Sequence, residues 1–544
     1  MTKCTRWILG CATLTMGLGV GGNALAGNDW PTAGHDFENS RHPSSGKGIS
    51  AKKVSGMQLR WTLNTSGDVT ATPAVEGDYL YFPDSAGFLY KVVKASGELV
   101  WKKPIADYTG IAGDFAYATP AVTGNALILG NQSGKFLGTG FGQPNPQAAR
   151  VFAVDKNTGA PLWTTQVDST PLSFITQAAV VANGTAIVGV DSNEELVAAF
   201  VPMAYWQWQF RGSVVALDVA TGAIKWKTYT VPDGYYGGAV LGSTAAIDLK
   251  LNQVFITTGQ NYMVPQGALD CLGGGGSPGA CIAPSNLADS IIALDLATGA
   301  IKWAWRGLAY DVWTAACGLN VPGLVIGPWF PGVYGNCPNG NPATAGPAHR
   351  FWQGPILFGS NGHNGQRLVG AGQGSGKFWA LSAKDGAPIW VTEVAPGGYS
   401  GGLGLGSATD GKSIYVAVAN SGPTINAGGV GALPWTLKDG TTTTAGGWAA
   451  LDAETGAVLW TTKDPYNSRA EAPVSVAKGV VFGCNLAAGQ GTMYALDAEA
   501  GNPLWSYDSG GPCNAGPSIV DDMVFWGSGT FNGLGPKKVF AFGL

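Results

Sequence analysis

The residues of this 544-residue chain that could do chemistry narrow the choices by their types. The four histidines, His35, His42, His349 and His363, are too sparse for a His-built copper or zinc centre. No Cys-x-x-Cys-His occurs, so no c-type haem is attached covalently. Carboxylates are plentiful, 35 in all, among them the Glu194–Glu195 pair just after an apolar strand end in "VGVDSNEELVAAF" and Asp311 in "AYDVWTAACGLN". Asp311 stands two residues before Trp313, which on a strand puts both on one face. The plain alternatives are a solvated acidic loop for the pair and a turn cap for Asp311. Any redox chemistry must therefore use a bound organic cofactor and pass electrons to a separate partner.

The cysteines speak for a compartment. "MTKCTRWILGCATLTMGLGVGGNALA" has a basic start, an apolar middle and Ala-Leu-Ala before Gly27. It reads as a signal peptide cleaved after Ala26, leaving one domain over 27–544, periplasmic or secreted. The apolar stretch is too short and Gly-rich for an anchor, and no later segment is long enough to span a bilayer. Cys4 and Cys11 leave with the signal, and an even number in an exported chain favours disulfides over metal thiolates. Paired by proximity, Cys271 joins Cys281 around "LGGGGSPGA", and Cys317 joins Cys337 around a Pro/Gly-rich insertion. Cys484 joins Cys513 around the last complete hairpin. Each loop should gain roughly 2–4 kcal/mol from closure. Charged residues make up 12% of the chain and the net charge is −4, which excludes the basic face that nucleic acid requires.

The elements that must position these groups repeat. "ALDLATGAIKW" (293–303) has counterparts ending at Trp101, Trp163, Trp226, Trp390, Trp460 and Trp505. Each reads as a strand such as Ser290–Asp295, a turn whose Gly supplies positive φ, and a second strand carrying the Trp. The turn glycines 97, 159, 222, 299, 386, 456 and 501 all stand four residues before the Trp. A one-residue slip would turn the ring to the other face, so a constant offset marks a docking device between neighbours. The intervals leave room for two more strands each, which makes four-stranded blades and an all-β propeller. "LRWTL" (59–63) has a Trp without a hairpin, and the terminal "KVFAFGL" is a strand without a Trp. Together they make an eighth, composite blade that closes the ring and removes its free edges. The runner-up is a seven-bladed ring with Trp61 as a stray aromatic.

These repeats, with "WPTAGHDFENSR" (30–41), "GDVTATPAV" (67–75), "FRGSVVALDVATG" (210–222), "GGAVLGSTAAID" (237–248), "ITTGQNY" (256–262) and "CNAGPSIVDDMVFWGSG" (513–529), resemble the quinoprotein alcohol dehydrogenases. Within them the resemblance is strongest to the branch that acts on polyvinyl alcohol. It implies pyrroloquinoline quinone (PQQ) and calcium on the propeller axis, a carboxylate base, an alcohol substrate that could be a polymer, and an external acceptor of the cytochrome c type. Matched residue by residue, it assigns calcium to Glu194, with Glu195 adjacent, and to Gln260 or Asn261, the latter otherwise a plain turn-former. Thr314 stands where the family has its base, so Asp311 becomes the substitute. Around the cofactor the resemblance points to Trp313, Arg211, Trp208 (or Trp206) and Lys377. Leu241 stands where the family has a Trp, Tyr117 where it has an Arg, and Gly374 where it has a Lys; the vicinal cysteines are missing. Two other readings stay open: a non-catalytic propeller that scaffolds envelope components, and a propeller binding a different ligand.

Overall fold

The computed structural model describes residues 29–43, 48–133, 148–199, 206–318, 336–338, 344–359, 365–398, 401–420, 432–531, 533 and 535–544. The expected signal peptide lies outside them. Eight antiparallel blade sheets are built around one axis, with two small two-stranded sheets in the connections. Blades 1 to 7 span 74–104, 121–166, 180–229, 246–306, 356–393, 408–463 and 475–508. Blade 8 combines 518–543 with the early strand Gln58–Asn64. The first strands of successive blades touch around the axis, so the fourth strands form the outer rim.

The repeat grammar has a direct structural meaning. In blade 4 the carboxylate of Asp295 accepts the amides of Ala297 and Thr298 at 3.1 and 3.0 Å. The chain then turns through Gly299 at φ 72°, and the seven turn glycines lie between 72° and 75°. A side chain at Gly299 would also strike Trp226 of the preceding blade. Glycine is thus required twice, for backbone handedness and for the ring lying on it. Thr228 Oγ1 donates to Gly299 O at 2.7 Å, and Thr165, Thr392 and Thr462 repeat this bond to Gly222, Gly456 and Gly501.

Closure follows the composite scheme. Trp61 sits opposite Ala541 in the pairing of the first strand with Lys538–Gly543. Its ring lies on the Gly97 turn of blade 1, and its Nε1 donates to Lys94 O at 2.9 Å. Trp61 therefore docks on a turn glycine as the Trp residues of blades 1 to 6 do, so it is no stray aromatic and the seven-bladed alternative falls. Trp505 has no turn glycine to meet and packs edge-on against Phe542, centroids 5.0 Å apart. The disulfides are Cys271–Cys281, Cys317–Cys337 and Cys484–Cys513, as proximity suggested.

One segment departs from the blade pattern and shapes the axis. Residues 30–41 run as a belt along the inner strands, taking the blades in order. Trp30 exchanges backbone bonds with Val75, Pro31 O accepts from Val122, and Thr32 Oγ1 donates to Ala179 O. Carbonyls of Phe37, Glu38, Ser40 and Arg41 then accept from Ile247, Leu357, Thr409 and Val476, in blades 4 to 7. The belt ends by presenting the Arg41 side chain at the axis.

Candidate functional site

The loops leading into the blades enclose a cavity of about 530 Å³ on the axis. Its wall draws on the belt and on all eight blades, from Thr70 before blade 1 to Asn514 before blade 8. Because each blade supplies a different loop, the wall carries no trace of the rim's repetition.

Arg41 stands out on that wall. It is 1% exposed, and its Nε and Nη1 have no hydrogen-bond partner. Gly406 and Gly516 make room for it: a Cβ on either would approach its guanidinium to 3.2 or 2.8 Å. Burial lowers its pKa to about 9, as desolvation does to a cation without a partner. Thr70 Oγ1 and Ser243 Oγ, on the same wall, also lack partners. A buried cation with idle hydroxyls beside it is a wall built to receive an anion.

Across the cavity the charges are paired. Arg350, 4% exposed, donates from Nη1 to Glu195 Oε1, and its guanidinium lies 3.9 Å from the centre of the Trp352 ring. Glu195 Oε2 accepts from Gln260 Nε2 at 2.7 Å. Asp191 also lines the wall, accepting the Ser192 amide at 2.7 Å and the Thr176 hydroxyl at 3.4 Å. Burial and the nearby Glu195 charge outweigh these bonds and push its pKa up to about 8. A carboxyl that ionises near neutral pH and faces a cavity can act as a proton acceptor.

The residues named from sequence fall in varied places. Glu194 turns from the cavity and accepts the backbone amides of Gln209 and Phe210 at 3.0–3.2 Å; burial raises its pKa to about 7. Its neighbour Glu195 is the one on the wall, because consecutive residues of the short helix Glu194–Val197 point about 100° apart. Gln260 joins the Glu195 network, donates to Trp313 O at 3.1 Å, and keeps a buried Oε1 without a donor. Asn261 is locked in a reciprocal amide pair with Asn286 at 2.7 and 3.0 Å.

Asp311 is 1% exposed and stands behind the wall. Its oxygens accept the amides of Trp313 at 3.0 Å and His349 at 2.9 Å, so it organises a loop while burial lifts its pKa to about 7. Trp313 packs in a cluster with Cys317 and Val264. Arg211 lies away from the cavity, paired with Asp233 and stacked on Tyr229. Trp208 packs between Trp206 and Tyr262, and Lys377 opens a strand opposite Glu393. None of Asp311, Trp313, Arg211, Trp208 and Lys377 lines the cavity. Sequence reasoning missed Arg41, Asp191 and Arg350 as site residues. The first two stand inside stretches quoted for other reasons, while Arg350 follows the insertion with no local signal.

Comparison with known proteins agrees with this architecture. The family model PQQ_2, described as outer membrane protein assembly factor BamB, matches residues 49–305 and 380–532. A polyvinylalcohol dehydrogenase of Sphingopyxis sp. (strain 113P3) is 26% identical over 541 residues, covering 93% of this chain and 73% of that protein. The crystal structure of quinohemoprotein alcohol dehydrogenase from Comamonas testosteroni superposes with a TM-score of 0.66 at 18% identity, over 95% of this chain and 80% of that one. BamB from Moraxella catarrhalis gives 0.51 at 15% identity, over 90% and 100%. The eight blades are thus those of the quinoprotein dehydrogenase fold, and since the family model spans most of its length, the chain belongs to the PQQ_2 family of propellers.

Proposed function

We propose that the chain is an exported PQQ-dependent alcohol dehydrogenase that oxidises polymeric or other bulky secondary alcohols. The observation that carries this reading is Arg41: an unpartnered, fully buried guanidinium on the wall of an axial cavity. A scaffold protein has no reason to bear that cost, whereas a cofactor with carboxylates offsets it. The sequence relationship to polyvinylalcohol dehydrogenases supports the reaction class and motivates the choice of a polymeric substrate.

The residues present suit PQQ, a flat aromatic tricarboxylate. Arg41 with Thr70 and Ser243 would hold carboxylate oxygens, and Trp352 and Phe174 offer flat apolar surface. Bound there, PQQ would supply a two-electron acceptor for the hydride of an alcohol's carbinol carbon. Asp191, rather than Asp311, is the proton acceptor we assign, because it faces the cavity with a pKa of about 8. Ionised, it takes the hydroxyl proton and leaves a carbonyl product. The apolar side chains of Leu241, Leu405 and Phe531 keep water from that exchange. An external acceptor of the cytochrome c type would take up the electrons. The residues do not suit calcium: the oxygens expected to bind it are largely committed to amides or to Arg350.

The test is reconstitution of the purified chain with PQQ, followed by its absorbance and by dye-linked oxidation of a secondary alcohol and of polyvinyl alcohol. Stoichiometric uptake with turnover supports the reading. A chain that takes up no quinone returns the scaffold alternative to first place.

A further inference from the structure

Calcium is a hard cation that asks for six to eight oxygens, and the axis offers it almost none. Glu194 is engaged by two backbone amides, Asn261 by Asn286, and Asp311 by the amides of residues 313 and 349. Glu195 holds Arg350 on one oxygen and Gln260 on the other. Among the described residues no three His, Cys, Asp or Glu side chains converge on a point where a metal ion could sit. The carboxyl of Asp191 on the wall, with Oε1 of Gln260 and Oδ1 of Asp289 as further oxygens lacking a donor, falls short of the six to eight that calcium asks for.

What the carboxylates surround instead is Arg350. It contacts Glu195 directly, and its charge acts on Asp191, Asp289 and Asp311. Stacking on Trp352 fixes the plane of the guanidinium at the cavity wall. A second cation entering here would meet a like charge at close range. We propose that Arg350 is the resident axial cation of this propeller, standing where the resemblance expects calcium, so that cofactor binding proceeds without a divalent metal. The inference rests on the PQQ reading for its chemistry, but its geometry is independent of it. A guanidinium keeps its charge at every physiological pH and presents several N–H donors in one plane. It can therefore stabilise negative charge growing on a carbonyl oxygen, the role a Lewis-acid cation would fill.

Two titrations of the purified full-length chain test this. In the first, calcium alone is titrated by calorimetry into wild type and Arg350→Gln, with circular dichroism to establish that the variant is folded and Arg350→Lys as the charge-keeping control. Wild type and Arg350→Lys should show no axial calcium site. Arg350→Gln frees Glu195 and its neighbours and should gain one. In the second, PQQ is titrated in EDTA and then in calcium. Wild-type affinity should agree within about twofold, while Arg350→Gln should lose about 10²-fold in EDTA and recover with calcium. Wild type that binds calcium stoichiometrically, or whose PQQ affinity rises tenfold or more with it, overturns the proposal. So does a folded Arg350→Gln that gains no calcium site. If no variant binds PQQ, the cofactor reading fails, and the calcium titration alone decides the role of Arg350.

Discussion

The rim and the axis of this propeller solve opposite problems. At the rim, one solution recurs: an Asp-capped turn, a glycine at φ near 72°, and a Trp of the neighbouring blade lying on that glycine. On the axis nothing recurs. Arg41 comes from the belt, Asp191 and Glu195 from blade 3, and Arg350 with Trp352 from the approach to blade 5. The rim is satisfied internally, with turn carboxylates and most docking indoles bonded. The axis holds buried groups whose partners are missing or whose protonation is displaced. Repetition serves assembly, and strain concentrated at one end of the scaffold serves chemistry.

The largest expected effect is at the axis. Asp191→Asn removes the proton acceptor but leaves the Arg41 wall, so turnover of a reconstituted enzyme should fall by about 10²–10⁴-fold while quinone uptake persists. Asp311→Asn, behind the wall, should change turnover far less and lower stability instead. Single-turnover rates and melting curves of both variants separate these roles, and a reversed ranking would return the base to Asp311.

At the rim the currency is stability. Trp460, 5% exposed on the Gly501 turn, should cost about 3–5 kcal/mol when replaced by Ala. Trp226→Ala should cost a similar amount, and the two should add, since blades 3 and 6 are not neighbours in the ring. Denaturant melts of the single and double variants measure this. A strongly non-additive pair would show that the rim acts as one body rather than as independent docking contacts.

A smaller effect links pH to the axis. Folded, Asp191 keeps its proton up to about pH 8 and Asp311 and Glu194 up to about 7; unfolded, all three release it near 4. The folded state thus binds more protons between pH 4 and 8, and its stability must fall as pH rises through that window. Asp295 at the rim, lowered to about 2 by Lys302 above all, acts only below pH 4. The melting temperature of the cofactor-free chain should rise from pH 8 to pH 5, and Asp191→Asn should flatten the trend. A melting temperature that climbs with pH across this range would mean the axial carboxyls are ionised and solvated.

The same contrast explains what was legible in the sequence. Strand Ser290–Asp295, the constant Gly-to-Trp offset, the composite closure through Trp61 and the three cysteine pairs could all be read, because each is local or repeated. The cavity wall is neither. Glu194 and Glu195 differ by one helical step, which no one-dimensional match resolves, and the step decides which carboxylate faces the axis. Arg350 reaches Glu195 across 155 residues, and Arg41 reaches the axis only because the belt crosses blade after blade. Such contacts exist once the ring has closed and leave no periodic trace.

The claim at the centre of this account is that Arg41 is kept buried and unpartnered for the sake of a bound anion. Arg41→Met tests it through two readouts of opposite sign on the same protein. Without cofactor, removing a desolvated charge should raise the melting temperature. In a PQQ titration followed by calorimetry, the same variant should bind about 10²-fold more weakly than wild type, because a charge-assisted carboxylate contact is lost. A variant that is less stable without cofactor and binds PQQ as tightly as wild type would make Arg41 a structural residue and contradict the account.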